Sequence, residues 1–356
     1  MNMVEKDGLK LISKYRTAIM GFAALWILYF HEGLMVFEKV PVIGKIELFL
    51  KSTGFCGVDI FLFLSGMGLT YAIQKSSLPM FYYKRIKRLI IPFLFMAILR
   101  ACLEHWNTQT FFLNFFGVNF YIKSIYSYLW FIPAILTLYL FFPLYYFFFS
   151  KAKSKLVFTT GVIGVWFILT LIFATIIRPD MFGFTNRIPI FVIGILIGYY
   201  QQHKSFEFTI GTYLVLLIFL GIGIYLSVKT NMEKMPLLIP SANNCLPNCL
   251  ITISSSCLFA KFFDILSNKV KVLAKILLGF LGIFGMISLE FYCVQEFVGG
   301  KLMPLLFNKF SNFATNMIIL AAVTVSAFVL YFISKYIFIG IERLFKIDTK
   351  KSKKVS

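Results

Sequence analysis

Residues 209–228 read TIGTYLVLLIFLGIGIYLSV and contain no charged side chain. An α-helix needs about 20 predominantly apolar residues to cross the hydrocarbon core of a bilayer, so this stretch is long enough to span a membrane. Similar apolar stretches recur along the chain, near 17–37, 54–73, 89–105, 128–149, 156–178, 188–202, 209–228, 245–266, 277–298 and 315–338. The sequence therefore predicts an all-α polytopic integral membrane helical bundle with about ten transmembrane helices.

The composition of the whole chain supports this prediction. Of its 356 residues, 59% are hydrophobic and 14% are charged, and the mean hydropathy is +0.84. Soluble globular domains carry about 25% charged residues, so a soluble enzyme is excluded. Ten helices of about 20 residues leave loops of only about 15 residues each. We therefore expect a single transmembrane domain over residues 1–356, with short basic cytoplasmic tails at about 1–16 and 346–356.

The basic residues indicate an orientation in the membrane and not a nucleic-acid partner. The chain has 35 lysine and arginine residues against 15 aspartate and glutamate residues, a net charge of +20. Most of the basic residues fall in alternate loops and in both tails, which is the pattern of cytoplasmic segments. With ten spans, both termini are predicted to be cytoplasmic. The expected location is the plasma membrane, with the lipid bilayer as a partner and no nucleic acid.

The cysteines do not indicate a metal centre. The six cysteines form no CxxC pair, and the chain has only three histidines. We therefore expect neither a metal site nor a disulfide framework, and the cysteines are expected to be small buried thiols.

Ionisable residues inside the predicted spans are few, and each is a candidate for function because a charged side chain is costly in lipid. His31, Asp59 and Glu290 lie deepest in their predicted helices. An imidazole gains and loses a proton near neutral pH, which suits His31 for general-base catalysis. The alternative is a buried histidine that joins two helices by hydrogen bonds. Asp59 or Glu290, each on another helix, is the expected partner that orients the imidazole.

Two arginines mark the entry to the third predicted span, in FYYKRIKRLIIP, residues 81–92. Arg85 and Arg88 are three residues apart, so they share one face of a helix. Two guanidinium groups on one face can hold phosphate groups through paired hydrogen bonds. The alternative is a basic anchor that contacts lipid headgroups at the cytoplasmic surface.

Seven stretches, taken in order, resemble the membrane acyltransferase-3 family. They are RTAIMGFAALWILYFH (16–31), GVDIFLFLSG (57–66), YKRIKRLIIP (83–92), LWFIPA (129–134), RIPIFVIG (187–194), ISLEFYCVQ (287–295) and IER (341–343). Two positions depart from the family pattern. Met20 stands where the family usually has an arginine, with Arg16 one helical turn earlier, and Gln295 stands where the family usually has a histidine.

The resemblance implies an acetyl-CoA-dependent O-acyltransferase. Such an enzyme would move an acyl group, expected to be acetyl, to a hydroxyl of an extracytoplasmic cell-envelope glycan in a bacterium. The donor would be cytoplasmic acetyl-CoA or another acyl-CoA, used as a co-substrate without a metal. The implied site comprises the catalytic residues His31, Asp59 and Glu290, with His31 as the general base, the coenzyme A-binding residues Arg16, Arg85 and Arg88, and the acceptor-binding residues Trp130, Arg187, Tyr292 and Gln295.

The sequence leaves two other functions open. A transporter or flippase of a small molecule or a lipid-linked glycan would also carry buried charges along its substrate path. A scaffold for an envelope-synthesis complex is the third. Within the enzyme interpretation, direct transfer is favoured over an acyl intermediate on a side chain such as Ser65. Tyr292, Gln295 and Ser288 are all candidates for the group that stabilises the oxyanion.

The distribution of basic residues predicts the sides of two loops. Reporter fusions at Asn231 and Asn268 should lie on opposite sides of the membrane, Asn231 outside and Asn268 inside, because one predicted span separates them. Signals from the same side would contradict the ten-span topology.

Overall fold

The computed structural model describes residues 7–122, 128–172, 181–231, 233–238 and 242–344. Within these residues the chain forms sixteen helices. They are α1 Gly8–Lys14, α2 Arg16–Glu32, α3 Pro41–Ser52, α4 Cys56–Gln74, α5 Leu78–Leu103, α6 Thr108–Phe115, α7 Val118–Ile122, α8 Phe131–Lys151, α9 Lys155–Ile172, α10 Phe182–Thr185, α11 Ile188–His203, α12 Ile210–Asn231, α13 Cys245–Lys269, α14 Lys271–Met286, α15 Ser288–Leu306 and α16 Asn312–Leu344. The predicted tail at 346–356, residues 1–6 of the other tail and residues 173–178 of the fifth predicted span lie outside the described residues.

The prediction of an all-α polytopic bundle is confirmed. Seven of the described helices are long and apolar enough to cross a membrane, or up to nine if each of two bent pairs counts as one span. The bent pairs are α1 with α2, at 71°, and α14 with α15, at 75°. The remaining predicted span is α5, which is not among these because Arg85, Lys87 and Arg88 in its first half and Arg100 in its last turn leave more than two charged residues in every stretch of 18.

The helices divide into a central set and a lipid-facing set. In the most apolar stretches of α4 and α11, 67% of the residues are buried, against 17% in α9 and α12. α4 and α11 pack backbone to backbone, because a Cβ at Gly194 would lie only 2.3 Å from the carbonyl oxygen of Phe63. The uncharged run at 209–228 forms most of α12, and its exposed Leu217 and Ile218 face outward as expected of a helix in lipid.

Two predicted spans differ in extent from the structure. The stretch predicted at 17–37 is helical only to Glu32, because Gly33 adopts an extended conformation and ends α2. The stretch predicted at 277–298 is two helices that meet at Ile287. An apolar run in a sequence does not show whether the helix that it forms is straight or bent. The bend allows Glu290 to reach Arg88 on α5, as described below.

Both ends of the described chain lie at the same end of the bundle. Lys14 of α1 contacts Asp264 near the end of α13, with Nζ–Oδ1 at 2.8 Å. Lys87, in the first half of α5, pairs with Glu342 near the end of α16. We call this the basic end, defined by Lys14, Arg85 and Lys87. His31 lies at the opposite end of α2.

A short surface helix, α3, fixes the segment that follows His31. The carboxylate of Glu47 accepts hydrogen bonds from the hydroxyl of Tyr29 at 2.6 Å and from the backbone N–H groups of Val36 at 2.8 Å and Phe37 at 2.7 Å. Burial alone would raise the pKa of Glu47, but these three hydrogen bonds and the positive charge of Lys51 together outweigh it, and the pKa is lowered. Trp26 also donates to the carbonyl oxygen of Leu50 at 2.6 Å, so the last two turns of α2 are held from outside.

The backbones of α2 and α14 also approach each other closely. A Cβ at Gly21 would lie 1.9 Å from the carbonyl oxygen of Leu281, and a Cβ at Gly285 would lie 1.9 Å from that of Thr17. Small residues at such crossings let helix backbones meet, which is how packing stabilises helices in a membrane. This contact holds the helix that carries His31 against the bend before α15.

Gly285→Ala should lower the thermal stability of the purified protein, because the new methyl group would have to separate α2 and α14. The expected loss is about 1–3 kcal/mol of unfolding free energy, which exceeds the gain of about 1 kcal/mol that alanine brings to a helix. The matched control is Gly282→Ala on the same helix, where a Cβ would meet no heavy atom within 4 Å. Equal melting temperatures for the two variants would contradict the close approach.

Candidate functional site

Two cavities meet inside the bundle. The first, of about 520 Å³, contains His31, Trp130, Arg187 and Glu296 in its lining and is called here the His31 cavity. The second, of about 290 Å³, is lined by Arg16, Arg88 and mainly apolar side chains and is called the Arg16 cavity. Ile27, Val58 and Tyr292 line both cavities. The cavities therefore adjoin one another, one at the His31 end of α2 and one toward its basic end.

His31 lies in the last turn of α2, where the helix dipole favours a positive charge. Its Nε2 lies 3.8 Å from Oε1 of Glu296 on α15, and both side chains are a little over one third exposed. The carboxylate nearest the imidazole is therefore Glu296, whereas Asp59 and Glu290 were expected from the sequence. Glu296 directly follows Gln295, which stands where the family usually has a histidine. This departure from the family pattern was the feature of the sequence that could have directed attention to Glu296.

Asp59 lies at the centre of a buried polar cluster between α4, α11 and α13. Its side chain is fully buried, and its Oδ2 lies 3.3 Å from Nε of Arg187. Asn248 donates from Nδ2 to both carboxylate oxygens at 3.3 Å. The guanidinium of Arg187 also lies over the rings of Trp130 at 5.5 Å and Phe55 at 5.8 Å. Asp59 thus neutralises Arg187 and holds it at the wall of the His31 cavity.

Glu290 pairs with Arg88 in a two-pronged contact. The carboxylate is fully buried, Nη1 of Arg88 contacts Oε1, and Nη2 lies 3.0 Å from Oε2. Both outer nitrogens of Arg88 are therefore engaged by one carboxylate. Glu290 does not line the His31 cavity, so the structure separates it from His31.

Arg16 and Arg85 are in a different electrostatic position from Arg88. Within the described part of the chain, neither makes an ion pair with a carboxylate, and the buried Nε of Arg16 has no hydrogen-bond partner. Arg85 lies close enough to Arg16 to repel it electrostatically. Arg16 packs flat on Gly68, where a Cβ would lie 2.8 Å from its Nη1. Two neighbouring uncompensated guanidinium groups favour an anionic ligand.

The remaining predicted residues divide between the cavity wall and the protein interior. Trp130 and Tyr292 line the His31 cavity, and Arg187 joins them there. Gln295 is 1% exposed and lines neither cavity, and both polar atoms of its amide lack a hydrogen-bond partner among the described residues. The structure therefore brings three of the four acceptor-site candidates together and leaves Gln295 apart.

The sequence analysis missed four asparagines that line the His31 cavity. Asn186, Asn231, Asn244 and Asn248 come from three separate segments. Asn244 donates from Nδ2 to Oδ1 of Asn231 at 2.8 Å. The backbone N–H of Asn244 donates to Oδ1 of Asn186 at 2.9 Å. The Oδ1 of Asn244 is buried without a partner in the described structure. A search for ionisable residues cannot find neutral amides, although the four-residue spacing of Asn244 and Asn248 places them on one helix face.

Among the described residues, no three His, Cys, Asp or Glu side chains lie close enough together to hold a metal ion.

The comparisons with known proteins identify the family. The acyltransferase-3 family model, described as an acyltransferase domain, matches residues 18–335, which include every residue that lines the two cavities except Arg16. No curated protein and no solved structure matches the chain. Since the match extends over most of the sequence, the chain belongs to the acyltransferase-3 family of membrane acyltransferases.

Proposed function

We propose that this protein transfers an acyl group, acetyl in the first instance, from acyl-CoA at the basic end to a hydroxyl of a glycan in the His31 cavity. The observation that carries the proposal is that the two cavities share Ile27, Val58 and Tyr292. A thioester that enters from the basic end and a hydroxyl that enters from the other end can meet at this junction. From Arg16 to His31 the α-helix rises about 22 Å, most of the thickness of the hydrocarbon core.

Arg16 and Arg85 are the proposed binding groups for the phosphates of coenzyme A. Arg16 lines the cavity and Arg85 lies close to Arg16, and neither has a carboxylate partner in the described structure, whereas Arg88 is engaged by Glu290. Apart from its two arginines, Arg16 and Arg88, the cavity lining is mainly apolar, with Met20, Phe61 and Ile135, and its polar side chains are the uncharged hydroxyls of serine and tyrosine residues. This wall suits an uncharged thioester arm and disfavours the charged end of the donor, which would therefore stay at the arginines.

His31 is the proposed general base. It would take the proton of the acceptor hydroxyl while the oxygen attacks the thioester carbon. The carbon–sulfur bond then breaks, and the departing thiolate takes the proton from the imidazolium, so the reaction is balanced without any further reagent. Glu296 is a positioning residue that orients the imidazole and stabilises its charged form.

The lining of the His31 cavity supports a hydroxyl-rich, uncharged acceptor. Its four asparagines supply both donors and acceptors, and the unpartnered Oδ1 of Asn244 can accept from a hydroxyl. Trp130 provides an aromatic wall, and Arg187 is already neutralised by Asp59. A sugar presents both hydroxyl groups and an apolar ring face, which fits this lining.

The proposal includes an orientation. The basic end would face the cytoplasm, where acyl-CoA is found, and the His31 cavity would open toward the cell envelope. We place the protein in the plasma membrane of a bacterium, with an envelope glycan as acceptor. A transporter or flippase would use the same pair of cavities as a path, but it would not consume a thioester.

His31→Ala should reduce acyl transfer by about 10²–10⁴-fold, the usual contribution of a general base. The measurement uses inverted membrane vesicles supplied with radiolabelled acetyl-CoA and follows both thioester loss and label in envelope glycan. The matched control is His203→Ala, because His203 lies at the end of α11 against Tyr199 and lines neither cavity.

Activity of His31→Ala within a few fold of wild type would leave His31 with a structural role only. Movement of label across the membrane without loss of the thioester would favour the transporter over the enzyme.

The double variant Arg16→Lys with Arg85→Lys should weaken acetyl-CoA binding at least about tenfold, because lysine keeps the charge but loses the planar pair of donors. Binding is measured by displacement of radiolabelled coenzyme A at low salt, where electrostatic attraction is least screened. The control is Arg343→Lys, an exposed arginine near the same end of the bundle. If wild type, the double variant and the control bind acetyl-CoA with equal affinity, Arg16 and Arg85 contact lipid headgroups and not coenzyme A.

A further inference from the structure

The junction between the two cavities contains one polar group. Of the three residues that line both cavities, Ile27 and Val58 are aliphatic and Tyr292 carries a hydroxyl. Tyr292 is therefore the polar side chain that a thioester carbonyl lying between the two cavities would have beside it. The proposed reaction places a negative charge on that carbonyl oxygen, and such a charge needs a hydrogen-bond donor aimed at it in advance.

The hydroxyl of Tyr292 is held so that its hydrogen remains available. The oxygen accepts a hydrogen bond from the backbone N–H of Phe131 at 3.1 Å, and the hydroxyl hydrogen has no acceptor among the described residues. The side chain is only 7% exposed, and its ring packs edge-on against the ring of Phe131, with centroids 5.4 Å apart. Both contacts fix the ring, so little reorganisation is needed when an oxyanion forms.

The start of α8 strengthens this donor. Phe131 is the first residue of α8, and its N–H belongs to the group at a helix start that has no partner within the helix. A hydroxyl that accepts a hydrogen bond becomes a better donor, because the two bonds polarise one another. The positive end of the α8 dipole lies on the same side and also favours a negative charge nearby.

The helical register places Tyr292 on the same side of α15 as the residue that contacts the base. Tyr292 lies one turn before Glu296 on α15, and Ile27 lies one turn before His31 on α2. Tyr292 and Ile27 line both cavities, whereas His31 and Glu296 line the His31 cavity alone. The tyrosine therefore lies on the Arg16-cavity side of the His31–Glu296 pair.

We propose that Tyr292 is a catalytic residue that donates its hydroxyl hydrogen to the oxyanion of the acyl-transfer step; this inference rests on the function proposed above. As the acceptor oxygen bonds to the thioester carbon, its proton passes to His31 and the carbonyl electron pair moves onto oxygen, where Tyr292 holds it. The carbonyl re-forms when the carbon–sulfur bond breaks. The other two candidates from the sequence fit less well, because Gln295 lines neither cavity and Ser288 lines the Arg16 cavity alone.

The first test compares Tyr292→Phe with Tyr128→Phe. Both tyrosines are buried and each makes one hydrogen bond to the backbone, but Tyr128 donates to the carbonyl oxygen of Phe93 at 2.7 Å and lines neither cavity. We expect Tyr292→Phe to lower kcat by about 10²–10³-fold, with acetyl-CoA binding within about twofold of wild type. Tyr128→Phe should keep wild-type turnover even if it loses comparable thermal stability.

A second variant keeps the fold and tests the hydrogen itself. Replacing Tyr292 by 3,5-difluorotyrosine retains the oxygen that accepts from Phe131 but makes the hydroxyl more acidic. An ionised phenol can still accept from that N–H, whereas it cannot donate to an oxyanion. We therefore expect turnover of this variant to fall at a lower alkaline pH than turnover of wild type. A purely structural tyrosine would leave the alkaline limb of the pH profile unmoved.

Turnover is measured as label transferred from acetyl-CoA to envelope glycan in inverted vesicles, with His31→Ala alongside. Suppose that wild type transfers label and His31→Ala does not. If Tyr292→Phe then turns over within a few fold of wild type and the fluorinated variant keeps the wild-type pH profile, the role of Tyr292 is overturned, while the proposed function stands. If wild type transfers no label, or His31→Ala transfers as much as wild type, the proposed function fails, and the role of Tyr292 fails with it.

Discussion

The arrangement of the site depends on the buried contact between Glu290 and Arg88. The carboxylate of Glu290 is fully buried while Arg88 is 39% exposed, and a buried carboxylate without a cationic partner is strongly unfavourable. α15 therefore has to start where its first turn can bring Glu290 to Arg88. That requirement fixes α15 against α5 just after the bend at Ile287. The helical repeat then decides the rest: Tyr292 follows at the junction of the cavities, and Glu296, one turn later, lies beside His31.

The same need to neutralise charge in lipid separates the arginines into two groups. Arg187 is held by Asp59 and Arg88 by Glu290, so both act chiefly within the fold. Arg16 and Arg85 have no such carboxylate in the described structure and are close enough to repel one another. An uncompensated pair of this kind is unfavourable unless an anion binds to it. For this reason the proposed site for the phosphates of the donor lies at the basic end, and the thioester arm is proposed to lie in the Arg16 cavity.

The two cavities also differ in the chemistry that their walls permit. The Arg16 cavity is mostly apolar beyond its arginines, whereas the His31 cavity has amides, an imidazole and a carboxylate. A polar acceptor therefore gains hydrogen bonds in one and would lose them in the other, and the donor's thioester arm has the reverse preference. In the proposed reaction each substrate would therefore have its own side, and Tyr292 would be the polar side chain where the two sides meet.

The class of fold follows from the sequence alone, since uncharged runs near 20 residues are compatible with little other than membrane helices, and the ordered motifs indicated the family. The sequence also made His31 the favoured candidate for the general base, and this role stays a prediction. The pairing of the charges follows from how the helices pack: Asp59 and Glu290 were expected beside His31, yet they hold Arg187 and Arg88, and Glu296 lies nearest the imidazole. Helical periodicity fixes which residues of one helix share a face, but the rotation and bend of each helix follow from packing against its neighbours. Contacts between helices as far apart in sequence as α5 and α15 therefore become visible only in three dimensions.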